Sequence, residues 1–360
     1  MLVVSGVNLV EGGTLKVMQH FLRSAREQLG PEWRIIALVN RTSLLQVEGI
    51  EALAFPRIKT GWVRRLWFEY WQCQALSRQL DADIWVALHD MTPRVQARRQ
   101  AVYCHNPAPF YKVTLREAWL DPKLLAFKWL YGWVYRINIR RNDAVIVQQE
   151  WLRQEFRRRY GASNVVVAHP VEEFRAGEHR RTDRSTSIFF YPALARPFKN
   201  FELLCEAVRL LNSRRAWHGE LRLTVDGNEN AYARKLVRRY GACTGIRFIG
   251  LQDAEGMRQQ YAQSHCLVFP SRRETWGLPL TEAKALGLDI LAADIHYARE
   301  SIGTYERVDF FDVDDPEQLA QKMAAICDGT MVFPGQAPAP PAEPYAPDWT
   351  SLIKLLTQGL

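Results

Sequence analysis

Three observations predict two doubly wound α/β domains facing one another over a cleft. Short apolar runs alternate with segments of helical periodicity along most of the chain, the pattern of right-handed crossovers and parallel sheets. The alternation occurs twice, on either side of EEFRAGEHRRTDRSTS (172–187), a polar stretch with no periodicity. And 360 residues are more than one hydrophobic core usually holds. The expected division is a first domain over 1–171 and a second over 187–333. A Pro-rich strap with a last helix, 334–360, is expected to carry the chain back onto the first domain.

The first half opens with LVVS (2–5), which leads through Gly12-Gly13 into TLKVMQHFLRSA (14–25), apolar at 15, 18, 21 and 22. WRIIALV (33–39), DIWVAL (83–88), QAVYC (100–104) and DAVIVQ (143–148) are its further strands. In the second half SIFFYPA (187–193) precedes a helix at 200–212, and ELRLTVDG (220–227) one at 230–240. GIRFIG (245–250) precedes a helix at 254–263, and CLVFPS (266–271) one at 279–287. PGQAPAPPAEPYAP (334–347) is stiff and extended by composition, and DWTSLIKLL (348–356) is a short amphipathic helix.

Apolar residues make up 48% and charged residues 24%, which places the chain among soluble globular proteins. The six cysteines form no C-x-x-C pair and several sit in apolar runs, so a reducing, cytoplasmic compartment is expected. MLVVSGVNLV is followed by Glu11-Gly12-Gly13 rather than a cleavage site, and no long apolar run spans a membrane. Residues 1–180 carry 26 basic against 17 acidic side chains, the remainder 21 against 22. A basic first half suits an anionic partner: a lipid surface, a phosphorylated substrate or nucleic acid. No nucleic-acid module is recognisable, so nucleic acid is not expected. TGWVRRLWFEYWQCQAL (60–76) and FKWLYGWVYRINIRRN (127–142) combine Trp, Tyr and Arg, which suits a headgroup-level interface. In the first, the apolar stripe at 63, 66, 67, 70 and 71 leaves Arg64 and Arg65 outside it. The same stripes also fit the core faces of crossover helices.

The chemistry concentrates in RRETWGLPLTEA (272–283). Pro279 suits the first position of a helix and Gly287 its C-terminal cap. Thr275, Trp276, Gly277 and Leu278 then form the turn at a helix N-terminus, where unpaired N–H groups and the dipole favour an anion. Glu274 is placed at the strand's carboxyl end. Glu282 stands one turn into the helix, able to accept from two hydroxyls. A phosphate flanked by vicinal hydroxyls fits this layout, as in a sugar nucleotide. In the first half His105 and Asn106 end one strand and His89 and Asp90 a neighbouring one. Asp312-x-Asp314 in FDVDDPEQLA (311–320) looks like a metal motif, but Asp315-Pro316-Glu317 reads as a helix cap, and no metal requirement is expected.

The string PSRRETWGLPLTEAKALG (270–287), with seven residues between its glutamates, resembles the signature of retaining glycosyltransferases of the GT-B fold, glycosyltransferase family 4 (glycosyl transferases group 1). The resemblance implies two Rossmann-like domains, with the donor held by the second and the acceptor mainly by the first. It implies that Glu282 holds the ribose hydroxyls. Glu274 would meet the donor sugar, and the amides of Thr275, Trp276, Gly277 and Leu278 would lie near sugar and diphosphate. YPALARPFKNFELLCEA (191–207) resembles the stretch whose Arg and Lys clamp the diphosphate, here Arg196 and Lys199. Asp226 and Gly227 in LTVDGNEN (223–230), and Ile249, Gly250 and Leu251 in IRFIGLQD (246–253), resemble the segments beneath ribose and base. Gly12 and Gly13 resemble the loop that approaches the donor, and His105 the histidine that contacts the donor sugar. His89, Asp90 and Asn106 are candidates for the acceptor.

The implied reaction moves a sugar, with retention, from a nucleoside diphosphate sugar to a hydroxyl of a lipid-linked glycan. It needs no cofactor; a GDP- or UDP-sugar is the expected co-substrate. The basic, aromatic first half points to surface polysaccharide assembly (O-antigen, capsule or exopolysaccharide) on the cytoplasmic face of the inner membrane, against an anionic leaflet. A GT-B sugar-nucleotide epimerase or hydrolase, or a basic nucleic-acid binder, are the alternatives.

Overall fold

The computed structural model describes residues 1–110, 122–170, 186–214 and 217–359. The polar stretch 172–187 therefore lies outside the described residues except for its last two. The chain forms two compact units, residues 1–172 with 341–360, and residues 173–340.

In the first unit, β1 (Leu2–Ser5) leads into α1 (Gly12–Gln28), followed by β2 (Ile35–Val39) and β3 (Glu51–Ala54). Next come α2 (Trp62–Trp67), a π-helical turn at Phe68–Gln72, and α3 (Cys73–Leu80). β4 (Ile84–Ala87), β5 (Arg99–Cys104), α4 (Pro122–Val134), β6 (Ala144–Val147), α5 (Glu150–Tyr160) and β7 (Val165–Ala168) follow. The second unit contains β8 (Ser187–Tyr191), α6 (Phe201–Arg214), β9 (Gly219–Leu223), α7 (Ala231–Tyr240), β10 (Ile246–Phe248) and α8 (Ala254–Gln263). It continues through β11 (Cys266–Phe269), α9 (Leu278–Ala285), β12 (Asp289–Ala293), α10 (His296–Ile302), β13 (Val308–Phe311) and α11 (Pro316–Cys327). The chain then returns to the first unit with β14 (Tyr345–Ala346) and α12 (Trp349–Thr357).

Both sheets are parallel, as the alternation predicts. Among the described residues the first runs β14-β7-β6-β5-β4-β1-β2-β3 and the second β10-β9-β8-β11-β12-β13. In each, the chain winds outward from the first strand, then reverses beside it. The crevices at the carboxyl ends of β1/β4 and of β8/β11 are therefore the switch points at which doubly wound sheets bind ligands. β1, β4, β6 and β7 are buried along their whole length, the signature of strands covered on both faces.

Several elements escape the sequence pattern. β3 reads EALA and is exposed at both ends, the profile of an edge strand with little apolar signal. β7 (VVVA), β12 (DILAA) and β13 (VDFF) are short, mostly apolar segments of four or five residues, where periodicity cannot separate strand from buried helix. The Pro-rich strap does more than span: Tyr345 and Ala346 pair with Val167 and Ala168 of β7. Asp348 then caps α12, accepting from Ser351 N–H at 2.7 Å. Trp349, Leu352, Ile353 and Leu356 are buried on the first unit's core, each contributing on the order of 2 kcal/mol by burial. Trp349 meets Phe21 edge-on with ring centres 5.7 Å apart.

Candidate active site

At the β8/β11 switch point two segments distant in sequence converge. The chain leaving β8 makes a turn at Pro197–Lys199, held where the buried Tyr191 hydroxyl donates to Lys199 C=O at 2.8 Å. Asn200, in the left-handed region, donates from its amide to Val313 C=O at 3.0 Å. The chain leaving β11 brings Glu274 to Lys199, and the ammonium and carboxylate form an ion pair in which both side chains are largely shielded from water. Ser271 Oγ donates to the same carboxylate oxygen at 2.8 Å. Tyr297 hydroxyl donates to Ser271 C=O, so α10 fixes the serine that fixes the glutamate. Lys199 Nζ also stands over the Phe198 ring, 5.6 Å from its centre.

Directly after this pair the backbone turns into α9. Gly277 adopts φ +84° as N-cap, a conformation that favours glycine, and a Cβ there would crowd the Phe269 ring at 3.2 Å. The helix starts at Leu278, and Pro279 takes its second position rather than the first. Gly287 lies beyond the C-cap Leu286 at φ +68°, and its N–H donates to Lys284 C=O, as helix-ending glycines do. Among the described residues, the amides of Thr275, Gly277 and Leu278 meet no protein acceptor. Trp276 is buried, and its carbonyl accepts from Ser301 Oγ. Glu282, half-buried one turn into α9, accepts from Tyr261 hydroxyl at 2.7 Å. Burial and the charge of Glu282 push the Tyr261 phenol well above its ordinary value, so it remains the donor.

The other donor candidates are less open. Glu229 carboxylate already accepts from the Asp226 N–H at 2.9 Å and the Gly227 N–H at 3.0 Å. The Ile249 and Gly250 amides donate to Leu223 and Val225, while Gln252 Nε2 donates to the Ile249 and Gly250 carbonyls. Leu251 is exposed. Arg196 is exposed and, among the described residues, its side chain makes no ion pair. Of the predicted donor residues, the structure thus brings together Lys199, Glu274 and the α9 turn.

The first unit has its own crevice at the β1/β4 switch point, a cavity of about 510 Å³ lined among others by Asn8, Lys59, Trp62, Arg65, His89, Asp90 and His105. His105 is mostly buried, its Nε2 3.5 Å from Asp90 Oδ2. Asp90 Oδ1 accepts from the His105 N–H at 2.7 Å, the Asn106 N–H at 3.0 Å and the Tyr135 hydroxyl at 2.7 Å. Asp90 and Asn106 therefore build the His105 loop. His89 is buried, and its Nε2 lies 2.6 Å from Glu69 Oε1 in the π-helical turn. Gly12 and Gly13 belong to the first turn of α1 and are exposed.

Two residues of this crevice carry no readable sequence signal. Arg65 is half-buried and donates to His89 C=O at 2.7 Å; with its amide oxygen facing the guanidinium, Asn8 accepts from Arg65 at 2.7 Å. Of the apolar stripe expected here, Val63, Trp67 and Trp71 are exposed, so it is not a core face along its length, and Arg65, outside the stripe, faces the cavity. The π-turn adds a residue to the helical repeat and rotates that face, placing Phe68, Glu69 and Cys73 inside. Asp315 caps α11, accepting from Gln318 N–H at 2.9 Å, while Asp314 pairs with Arg272 at 2.6 Å. Among the described residues no cluster of His, Cys, Asp and Glu has a metal-holding arrangement.

Residues 172–330 match the Glycosyl transferases group 1 family, so the second unit carries a domain of that kind. Over 205 residues, 52% of the chain and 48% of the relative, it is 24% identical to D-inositol 3-phosphate glycosyltransferase 2 of Catenulispora acidiphila. The chain thus spans about half the length of this curated relative. Among solved structures it is similar to Anabaena HepE in complex with UDP, with TM-score 0.66 and 14% identity over 92% of this chain and 90% of that one. It is also similar to the lipopolysaccharide outer core galactosyltransferase WaaB, with TM-score 0.61 and 13% identity over 91% and 90%. The fold is that of the GT-B glycosyltransferases.

Proposed function

We propose that this protein is a retaining, metal-independent glycosyltransferase of family 4. It would move a sugar from a GDP- or UDP-sugar to a hydroxyl of a lipid-linked glycan in surface polysaccharide assembly. The observation that carries the reading is the Lys199–Glu274 pair beside the unpaired amides of Thr275, Gly277 and Leu278 at the start of α9. An ammonium, a helix N-terminus and Glu282 one turn further offer a diphosphate its counter-charge and a ribose its acceptor. The relatives support it: one is named for glycosyl transfer to a phosphorylated inositol, a structural neighbour holds UDP, and another acts on lipopolysaccharide.

In the reaction the anomeric C–O bond to the diphosphate breaks and a bond to the acceptor oxygen forms on the same face. The acceptor's proton passes to a phosphate oxygen of the leaving nucleoside diphosphate, which removes the need for an enzymic base. Lys199, shared between Glu274 and the diphosphate, offsets the charge that grows on the leaving group, with Arg196 as the second, solvent-side cation. Glu274 orients the sugar. The Arg65 and Lys59 charges in the first unit's crevice suit an acceptor bearing phosphate. With a lipid-linked acceptor, the protein works peripherally on the cytoplasmic face of the inner membrane.

Calorimetric titration with UDP, GDP, dTDP and CMP, each in EDTA, tests the donor site. One diphosphate should bind, and Glu282→Ala should weaken it by roughly ten- to a hundredfold, the scale for hydrogen bonds to a charged group. Binding that needs a metal, or is indifferent to the variant, would remove the glutamate from its role.

A further inference from the structure

Away from both switch points, the first unit carries a basic groove that no step of the proposed reaction uses. It is a cavity of about 640 Å³ between the segment after α4 and the end of α5, lined by Arg136, Arg140, Arg141, Arg158 and Arg159. Arg158 and Arg159 share one carboxylate, Glu155. Among the described residues Arg136, Arg140 and Arg141 have no ion pair. Arginines at the end of α5 complement its dipole, but Arg136, Arg140 and Arg141 lie outside that helix, in the turns that follow α4. Guanidinium groups held around one cavity repel one another, and an external anion relieves that repulsion.

The neighbouring surface says what carries the anion. Trp129 and Trp133, one turn apart on α4, are 78% and 58% exposed, and the chain runs from Trp133 straight into Arg136, whose N–H donates to its carbonyl. Large exposed aromatics are unfavourable in water and suited to the headgroup layer of a bilayer. A second stripe, Val63, Trp67 and Trp71, is exposed on the helix whose Trp62 meets Tyr131 of α4 edge-on, ring centres 5.9 Å apart. Among the described residues no helix is long and apolar enough to cross a membrane, so contact by these residues would be shallow.

We propose that this face docks on an anionic lipid leaflet, with Trp129 and Trp133 at headgroup depth and the arginine groove holding lipid phosphates. The inference deepens the proposed lipid-linked acceptor by naming the surface that meets the lipid, and rests on that reading for its purpose. Its physical content can be tested without turnover.

The experiment is sedimentation with phosphatidylcholine vesicles, with and without phosphatidylglycerol, using the whole chain, Arg140→Ala/Arg141→Ala and Trp129→Ala/Trp133→Ala. Nucleoside diphosphate binding is measured on the same samples. The whole chain should prefer the anionic vesicles. The arginine variant should lose roughly thirtyfold of that binding, the scale for two cations near an anionic surface, and added salt should act likewise. The tryptophan variant should bind more weakly and lose the fluorescence shift that accompanies lipid contact. Equal binding to both vesicles, or an unchanged arginine variant, would overturn the proposal. So would tighter binding to single-stranded RNA than to vesicles, or self-association that the tryptophan variant abolishes. Lost vesicle binding with intact nucleotide binding sinks the docking surface alone; lost nucleotide binding in the whole chain sinks the donor reading instead.

Discussion

The two switch points are built from the same winding but recruit their side chains differently. In the second unit the crevice draws on two continuous stretches, 196–200 after β8 and 271–282 after β11, and a charged pair joins them. In the first unit the crevice is gathered piecemeal: Asn8 after β1, Lys59 and Arg65 around α2, His89 and Asp90 after β4, and His105 after β5. A site for a fixed diphosphate can be a backbone device, and backbone devices leave glycine, proline and capping residues at set spacings. A site assembled from side chains on separate loops leaves no spacing to read. It is also the kind that loop variation can re-tune to a different acceptor.

That contrast is broken most directly at Lys199. Lys199→Ala should lower turnover by two or more orders of magnitude, the scale for removing one stabiliser of developing negative charge. Because the change also strands the shielded Glu274 carboxylate, thermal unfolding of the variant must be measured alongside. Unchanged turnover in a folded variant would make the pair structural, and the two crevices would then be alike in carrying no reactive charge.

Legibility follows the same division. Alternating runs gave the parallel α/β class and most strands to within two residues, because buried parallel strands are continuous apolar runs. The α9 turn was readable from Gly277 and Gly287, whose positive φ calls for glycine, and from Pro279, although it takes the second helical position rather than the first. Glu69 was not: a glutamate inside an aromatic helix reads as solvent-facing until a π-turn rotates it onto His89. Arg65 reads only as a residue outside the apolar stripe, and nothing in the sequence marks it as lining a cavity. Asp226, Gly227, Ile249 and Gly250 sit at the predicted strand ends, yet Glu229 and Gln252 occupy their backbone groups. Motif spacing fixes where a backbone lies, not which neighbour reaches it first.

A sharper test of the first unit is Asp90→Ala. This carboxylate is buried, and its removal leaves three donors, the His105 and Asn106 amides and the Tyr135 hydroxyl, without their acceptor. The expected loss is about 3 kcal/mol in urea unfolding, given roughly 1–3 kcal/mol per stranded buried group with some relaxation. Nucleotide affinity should be unchanged. If stability holds while acceptor KM rises, Asp90 touches the acceptor rather than shaping the His105 loop.

The smallest expected effect concerns the aspartates that mimic a metal motif. Asp315 accepts from the Gln318 N–H at 2.9 Å, with Pro316 opening α11, so Asp315→Ala should cost about 1 kcal/mol, the scale of a lost N-cap. Asp312 is engaged locally, its Oδ1 accepting from Asp314 N–H at 2.8 Å, and Asp314 is held by Arg272. A capping aspartate predicts a stability loss in urea with turnover in EDTA unaltered, whereas a metal ligand predicts the reverse. Turnover that EDTA abolishes would return Asp312 and Asp314 to the metal reading. Arg272 holds Asp314 and lies two residues before Glu274, so a fall in turnover that is the same with and without EDTA would mean that this acidic turn acts on the donor crevice through Arg272.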